Sequence, residues 1–296
     1  MIVPPNLEPG SEVRVIAPSG PFDRALFGAA VGWLSSRYRV TYDQDIFTCD
    51  GFLAGHDVRR RKELQSAIDD PNVSAIVIAR GGWGAARIVS SVDFSGLVRN
   101  PKWIVGFSDT TTLHANAWHM GVASLHAANL ATLGNGDADA RSRWLRALED
   151  PHHERVIHGI PVVGGRCEGI LVGGNLSIIV SCLSRGKLTL PTRCILALED
   201  VAESSYRIDR MLDALLSSNV AGRIAGAVLG QFVDCDPGKY AVSVAQVLRD
   251  QFRRFGVPAL SELEFGHGHV NKPLLLGQLA LLDAQRGELS IGTFQT

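Results

Sequence analysis

Two hydrophobic rhythms alternate along the first 120 residues. Short runs read as strands: VRVIA (13–17) and AIVIA (75–79) as buried ones, RVTY (39–42) and WIVG (103–106) as strand-like. Between them lie stretches with apolar residues three and four apart. These are 23–37, DVRRRKELQSAIDD (57–70) with Leu64 and Ile68 on one face, GAARIVSSV (84–92), and 109–120. Strand and helix in turn predict an α/β fold, an open parallel sheet covered by helices. Ligands of such sheets bind beyond the carboxyl ends of the strands. Two loops follow strand ends there, RGGWG (80–84) and GFSD (106–109).

Residues 134–168 break the rhythm. GNGDADA is polar and glycine-bearing, and EDPHHERVIHGIP has loop composition, so a linker is expected. Beyond it, 173–186 is expected as a glycine-opened helix, CILALED (194–200) as a strand, and 205–219 as a helix with Ile208, Met211, Leu212, Leu215 and Leu216 on one face. IAGAVLGQF (224–232) follows as strand and 240–255 as helix. QLALLD and ELSI close the chain as a hairpin.

The chain has 296 residues, 46% hydrophobic and 20% charged, enough for a substantial core and unlike disorder. A net charge of −1 gives no global attraction for nucleic acid or an anionic membrane. The basic run Arg59-Arg60-Arg61-Lys62 falls on the helix 57–70 and is expected on a solvated face. The N-terminus lacks the basic and apolar regions of a signal peptide. The most apolar stretch, 169–183, is interrupted by Asn175 and two serines and is too short to span a membrane. Five scattered cysteines without a C-x-x-C suit reduced thiols in a cytosol.

Ser108, between a strand and a helix, has two readings. It is the nucleophile of an elbow that has the first glycine of G-x-S-x-G (Gly106) and lacks the last, or Ser108 or Asp109 is an N-cap. Two further strand-end motifs supply possible partners: Glu199-Asp200, and FGHGH (265–269). Serine, acid and histidine in that order match one known triad arrangement. Serine needs a base, histidine serves near neutral pH, and a carboxylate fixes its tautomer. Gly81 and Gly82 can bring bare backbone to an oxyanion, and the N–H after the nucleophile, that of Asp109, suits a second donor. Each acid could equally be a capping or salt-bridge residue. His267 and His269 could be turn histidines, or an H-x-H metal pair with His126, although no third-ligand spacing is evident. His114 and His119 are expected as surface or packing histidines.

VIAPSG (15–20), FLAGHDVRRRKELQSAIDDPNVSAIVIARGGWGAARIV (52–89), GFSDTT (106–111), GGNLS (173–177), LEDVAESSYRIDRML (198–212) and FGH (265–267) occur in one order. Together they resemble the LD-carboxypeptidases of serine peptidase family S66, the murein tetrapeptide carboxypeptidases. The resemblance implies a flavodoxin-like (class I amidotransferase-like) N-terminal domain over 1–134 carrying the nucleophile. A linker over 135–168 and a smaller α/β C-terminal domain over 169–296, carrying acid and histidine, would follow. It assigns the nucleophile to Ser108, the acid to Glu199 rather than Asp200 or Glu203, and the base to His267 rather than His269. It implies Gly82 as an oxyanion donor beside the N–H of Asp109, and Arg80 and Trp83 of the same loop as substrate-binding residues. It further implies a site between the domains, no cofactor or metal, a homodimer, and a cytoplasmic role on murein tetrapeptides. The family's other branch, microcin-immunity peptidases, has longer chains. A non-catalytic small-molecule binding module is the alternative of another class. His126-Ala127-Ala128-Asn129 departs from the H-G-P of many relatives, which puts substrate detail there in doubt.

Overall fold

A computed structural model describes residues 1–153 and 155–292. The chain forms two compact units. The first comprises Met1–Pro151 and Lys272–Gly277, and the second comprises His152–Asn271 and the segment from Gln278 onward.

The first unit opens with strands β1 (Glu12–Ile16), β2 (Arg39–Thr41), β3 (Val73–Ile78), β4 (Trp103–Gly106) and β5 (Ser124–His126). The second holds β6 (Arg155–His158), β7 (Ile160–Val163), β8 (Arg166–Asn175), β9 (Cys194–Val201), β10 (Ile224–Val233) and β11 (Ala259–Ser261). The chain then returns to the first unit for β12 (Leu274–Leu276). It ends in the second with the antiparallel pair β13 (Leu279–Asp283) and β14 (Glu288–Ile291).

The first sheet runs β12-β5-β4-β3-β1-β2, parallel except for the antiparallel edge strand β12. Its apolar runs are central: Val15, Ile16, Ile76, Val77, Ile78, Ile104 and Val105 are buried, as continuous hydrophobic strands of a covered parallel sheet should be. Helices Asp57–Asp69 and Thr111–His119 contribute Leu64, Ile68, Leu113 and Ala117 to the same core.

The second sheet runs β6-β14-β13-β8-β9-β10-β11-β7. Its outermost strands, β6 and β7, are consecutive in the chain and separated by Gly159 alone. The two edge strands of the sheet are therefore joined through a single residue. A Cβ on Gly159 would lie 2.5 Å from Leu263 Cδ1 and 2.7 Å from the Ser261 carbonyl, so the corner has room only for glycine.

Three expectations change. Residues 135–168 are not a linker: they contain the helix Ala138–Glu149, β6, β7 and the start of β8. Three arginines on that helix dilute its apolar signal, yet Trp144, Ala147 and Leu148 are buried on one face. The helix expected over 173–186 begins only at Leu176, because β8 continues to Asn175. Gly173 pairs with Ala197 in the β8–β9 ladder, and a Cβ there would fall 1.9 Å from the Ala197 carbonyl. Its glycine serves strand approach rather than helix initiation. Finally, the basic run is not all solvated: Arg60 is fully buried and the Arg59 side chain is 12% exposed.

Among the described residues, no helix is long and apolar enough to cross a membrane.

Candidate active site

The candidate nucleophile lies in the first unit. β4 ends at Gly106 and the chain turns sharply before the helix Thr111–His119. Ser108 sits in this turn at φ 65°, in the left-handed region that a side chain enters only under strain of about 1–3 kcal/mol. The turn is held from several sides. The Phe107 N–H donates to Asn129 Oδ1 at 3.1 Å. His114, fully buried, contacts the Gly106 carbonyl through Nε2 at 2.9 Å and the Ser124 hydroxyl through Nδ1 at 2.9 Å. Burial pulls its pKa down to about 4, so the ring is a neutral packing histidine at neutral pH.

Neither Ser108 nor Asp109 caps the following helix, whose N-cap residue is Thr110. The Asp109 carboxylate instead accepts the Ala85 N–H at 2.8 Å, tying the elbow to the loop 80–84. Burial pushes the Asp109 carboxyl up, opposed by the Ala85 N–H, the Ser19 hydroxyl and the charge of Arg60.

The glycines of that loop are needed for approach. A Cβ on Gly81 would lie 2.7 Å from Ser108 Cβ and 2.9 Å from its Oγ. Gly82, at φ 104°, packs against Gly20 and is itself exposed. Gly81 is thus the closer neighbour of the serine, and the loop presents bare backbone beside Oγ. Arg80 is exposed and donates to the Pro21 carbonyl at 2.8 Å; among the described residues it pairs with no acid. Trp83 is 40% exposed. A buried residue that sequence reasoning passed over is Asn129, which holds the elbow through Phe107 and approaches Gly81. The only signal for it was its place in the tetrapeptide 126–129.

The candidate acid and histidine lie in the second unit. Glu199 and Asp200 lie near the end of β9 and, as neighbours on a strand, face opposite sides. Glu199 is fully buried, with Oε2 at 2.6 Å from His267 Nδ1. With the Nδ1 proton donated to the carboxylate, the neutral ring presents its lone pair at Nε2, the tautomer a general base requires. The turn bearing His267 is shaped around this contact. Gly266 has φ 108°, and a Cβ there would lie 2.7 Å from Glu199 Oε2. Its N–H donates to Asn271 Oδ1 at 3.0 Å. On the far side the Gln231 side chain fills the space at Gly268, and the Gln231 N–H donates to the Phe265 carbonyl at 3.0 Å.

Asp200 has a different task. Its carboxylate accepts from Asn175 Nδ2, the Ser177 N–H and the Val201 N–H, each at 2.9 Å, and so frames the start of the helix Leu176–Ser184. Burial pushes its pKa up to about 6. His269 is exposed. Among the described residues, no group of three His, Cys, Asp or Glu side chains is placed to hold a metal ion.

Comparison with known proteins places the chain in a family. Residues 13–127 match the LD-carboxypeptidase N-terminal domain, and residues 168–282 match the LD-carboxypeptidase C-terminal domain. A putative carboxypeptidase of Synechocystis is 36% identical over 97% of this chain and 96% of its own. The murein tetrapeptide carboxypeptidase of Pseudomonas aeruginosa is 32% identical over 79% of this chain and 80% of its own. The crystal structure of muramoyltetrapeptide carboxypeptidase from Oxalobacter formigenes superimposes with a TM-score of 0.85 at 26% identity, covering 97% of this chain and 100% of that one. An elbow serine, a buried acid–histidine pair and matches to both family domains converge: the chain belongs to the LD-carboxypeptidases of peptidase family S66.

Proposed function

We propose that this protein is a serine LD-carboxypeptidase that removes the terminal D-alanine from murein tetrapeptides. The bond cleaved joins the L-centre of a diamino acid to D-Ala. The observation that carries the reading is the buried Glu199 carboxylate 2.6 Å from His267 Nδ1, in a chain of a peptidase family. In this scheme Ser108 Oγ attacks the carbonyl carbon while His267 Nε2 takes its proton. Glu199 holds the imidazolium. Backbone N–H groups of Gly82 and Asp109 receive the oxyanion, and D-alanine leaves with the proton from His267. Water, deprotonated by His267, then releases the acyl group. Arg80, with no acid partner among the described residues, suits the substrate's terminal carboxylate, and the exposed Trp83 suits a wall of the same pocket.

The 2-1-3-4-5 order of the parallel strands supports a flavodoxin-like description of the nucleophile-bearing unit. The reading extends to a cytoplasmic homodimer acting in peptidoglycan recycling.

Mass spectrometry of tetrapeptides ending in L-Lys-D-Ala or meso-diaminopimelate-D-Ala, before and after incubation, tests the activity and its diamino-acid preference. Loss of one D-alanine is expected, with no cleavage of L-Ala-terminated or amidated peptides. Activity should survive EDTA and dialysis; loss on chelation with recovery on zinc addition would refute the serine mechanism.

A further inference from the structure

Arg60 is fully buried; two of its donors go to loops and the third stays on its own helix. Nε donates to the Gly55 carbonyl at 3.1 Å, Nη1 to the Pro18 carbonyl, and Nη2 to Asp57. A Cβ on Gly84 would lie 2.6 Å from Nη1. Three loops, 18–20, 53–55 and 81–84, therefore converge on one planar fork. They are also stitched to one another: the Ala54 N–H donates to the Ser19 carbonyl at 2.9 Å, and the Gly20 N–H to the Gly81 carbonyl at 3.0 Å. Gly81 is the residue pressed against Ser108. Asp109, next to the serine, grips the other end of the same loop through the Ala85 N–H.

A buried cation is expensive to desolvate, and an apolar side chain would pack the same volume more cheaply. A guanidinium adds donors in a rigid plane, which fixes two carbonyls relative to each other. Oxyanion donors must stand within 2.7–3.1 Å of where the negative oxygen forms. The loop with those N–H groups is glycine-rich and has little side-chain packing to hold it.

We propose that Arg60 is a positioning residue for catalysis: through Pro18, Gly55 and Gly84 it fixes the glycine loop beside Ser108 so that backbone N–H groups meet the developing oxyanion. The inference rests on the reading of Ser108 as the nucleophile.

The test compares Arg60→Met and Arg60→Lys with the wild type in the full chain. Three quantities are measured: kcat and KM on the tetrapeptide; Kd for a tripeptide boronate in which boron replaces the scissile carbonyl; and Kd for intact tetrapeptide in a Ser108→Ala background. A loop displaced by about 1 Å should lower kcat roughly 10²-fold in Arg60→Met with KM little changed. Boronate affinity should fall by the same factor, while intact tetrapeptide binds as before. Lysine keeps the charge without the fork, so kcat should fall about 10-fold. If Arg60→Met does not fold, the lysine variant carries the test. Wild-type kcat in either folded variant overturns the proposal, as does equal weakening of boronate and tetrapeptide. A boronate adduct that persists in Ser108→Ala overturns the nucleophile reading and this one with it. A Ser108-dependent adduct whose affinity ignores Arg60 overturns this proposal alone.

Discussion

In the first unit the candidate nucleophile hangs on strained backbone. Ser108 stands in the left-handed region, and glycine main chain is packed against it. In the second unit the candidate acid–base pair joins two residues 68 positions apart, Glu199 near the end of β9 and His267 in the turn after β11, brought to 2.6 Å. Main-chain conformation sets the surroundings of Ser108, whereas at His267 a glycine turn serves a side-chain hydrogen bond. Substitutions around Ser108 should therefore act through glycines and the residues that clamp them. Substitutions around His267 should act through the identity of one side chain.

The strongest test of this contrast removes each reacting group. Ser108→Ala and His267→Ala should each lower kcat by about 10⁴–10⁶. Combining them should add almost nothing, since the base then has no proton to take. His269→Ala, if well folded, should retain most activity. The reading fails if His269→Ala is as inactive as Ser108→Ala while His267→Ala still turns over.

Next in size is the contrast between neighbours on β9. Glu199→Gln keeps the shape but loses the charge that fixes the imidazole, and should lower kcat by about 10³–10⁴. Asp200→Asn should leave kcat nearly unchanged. Its new amide would confront the donors of Asn175 and Ser177, lowering stability by about 1–3 kcal/mol. Reversal of these two outcomes in kinetics and urea unfolding would exchange the roles of the two acids.

Titration separates the units more gently. Burial raises Glu63, in the first unit, from 4.5 to about 7, and it accepts the Ala17 N–H at 2.8 Å. Between those values the native state keeps a proton that the unfolded chain has lost, so this group's contribution to stability falls as pH rises. Asp200 acts in the same direction in the second unit, between 3.8 and about 6. Trp33, Trp83, Trp103, Trp118 and Trp144 account for all five tryptophans and all precede residue 151. Tryptophan fluorescence therefore reports the first unit alone. Followed this way, Glu63→Gln should remove a pH-dependent loss on the order of 2–3 kcal/mol between pH 4.5 and 7. Parallel wild-type and variant profiles would contradict the assignment.

The smallest effect concerns the junction of β6 and β7. Gly159→Ala places a methyl group against Leu263 and the Ser261 carbonyl and should destabilise the second unit by about 1–3 kcal/mol. Hydrogen exchange should quicken in β7 and β11 while the tryptophan transition stays put. A shift of that transition by the same amount would mean the units unfold as one.

Strands β3 and β4 were legible because both faces are covered, which leaves an unbroken apolar run. β12 was not: three leucines flanked by Pro273 and Gly277 form an edge strand only because β5, some 150 residues earlier, accepts them. The helix Ala138–Glu149 was hidden by its arginines. Ser108 could be singled out by its place between strand and helix, but Glu199 over Asp200 and His267 over His269 were separable only through the family resemblance, because each pair carries the same chemistry. Arg60 could not be singled out, because a basic run on a helix has the same letters whether it faces water or three loops. Asn129 was equally silent, as its role depends on the Phe107 N–H pointing at it.

The return of Lys272–Gly277 to the first unit has a consequence for biosynthesis. β12 pairs with β5 through Leu274 and His126, so the first sheet leaves the ribosome with a naked strand edge. At ordinary translation rates the missing strand arrives on the order of ten seconds later, after nearly all of the second unit has been made. Through that interval the nascent chain carries an unpaired β5, a place where another copy's strand could add and where a chaperone that recognises extended apolar backbone would have its opportunity.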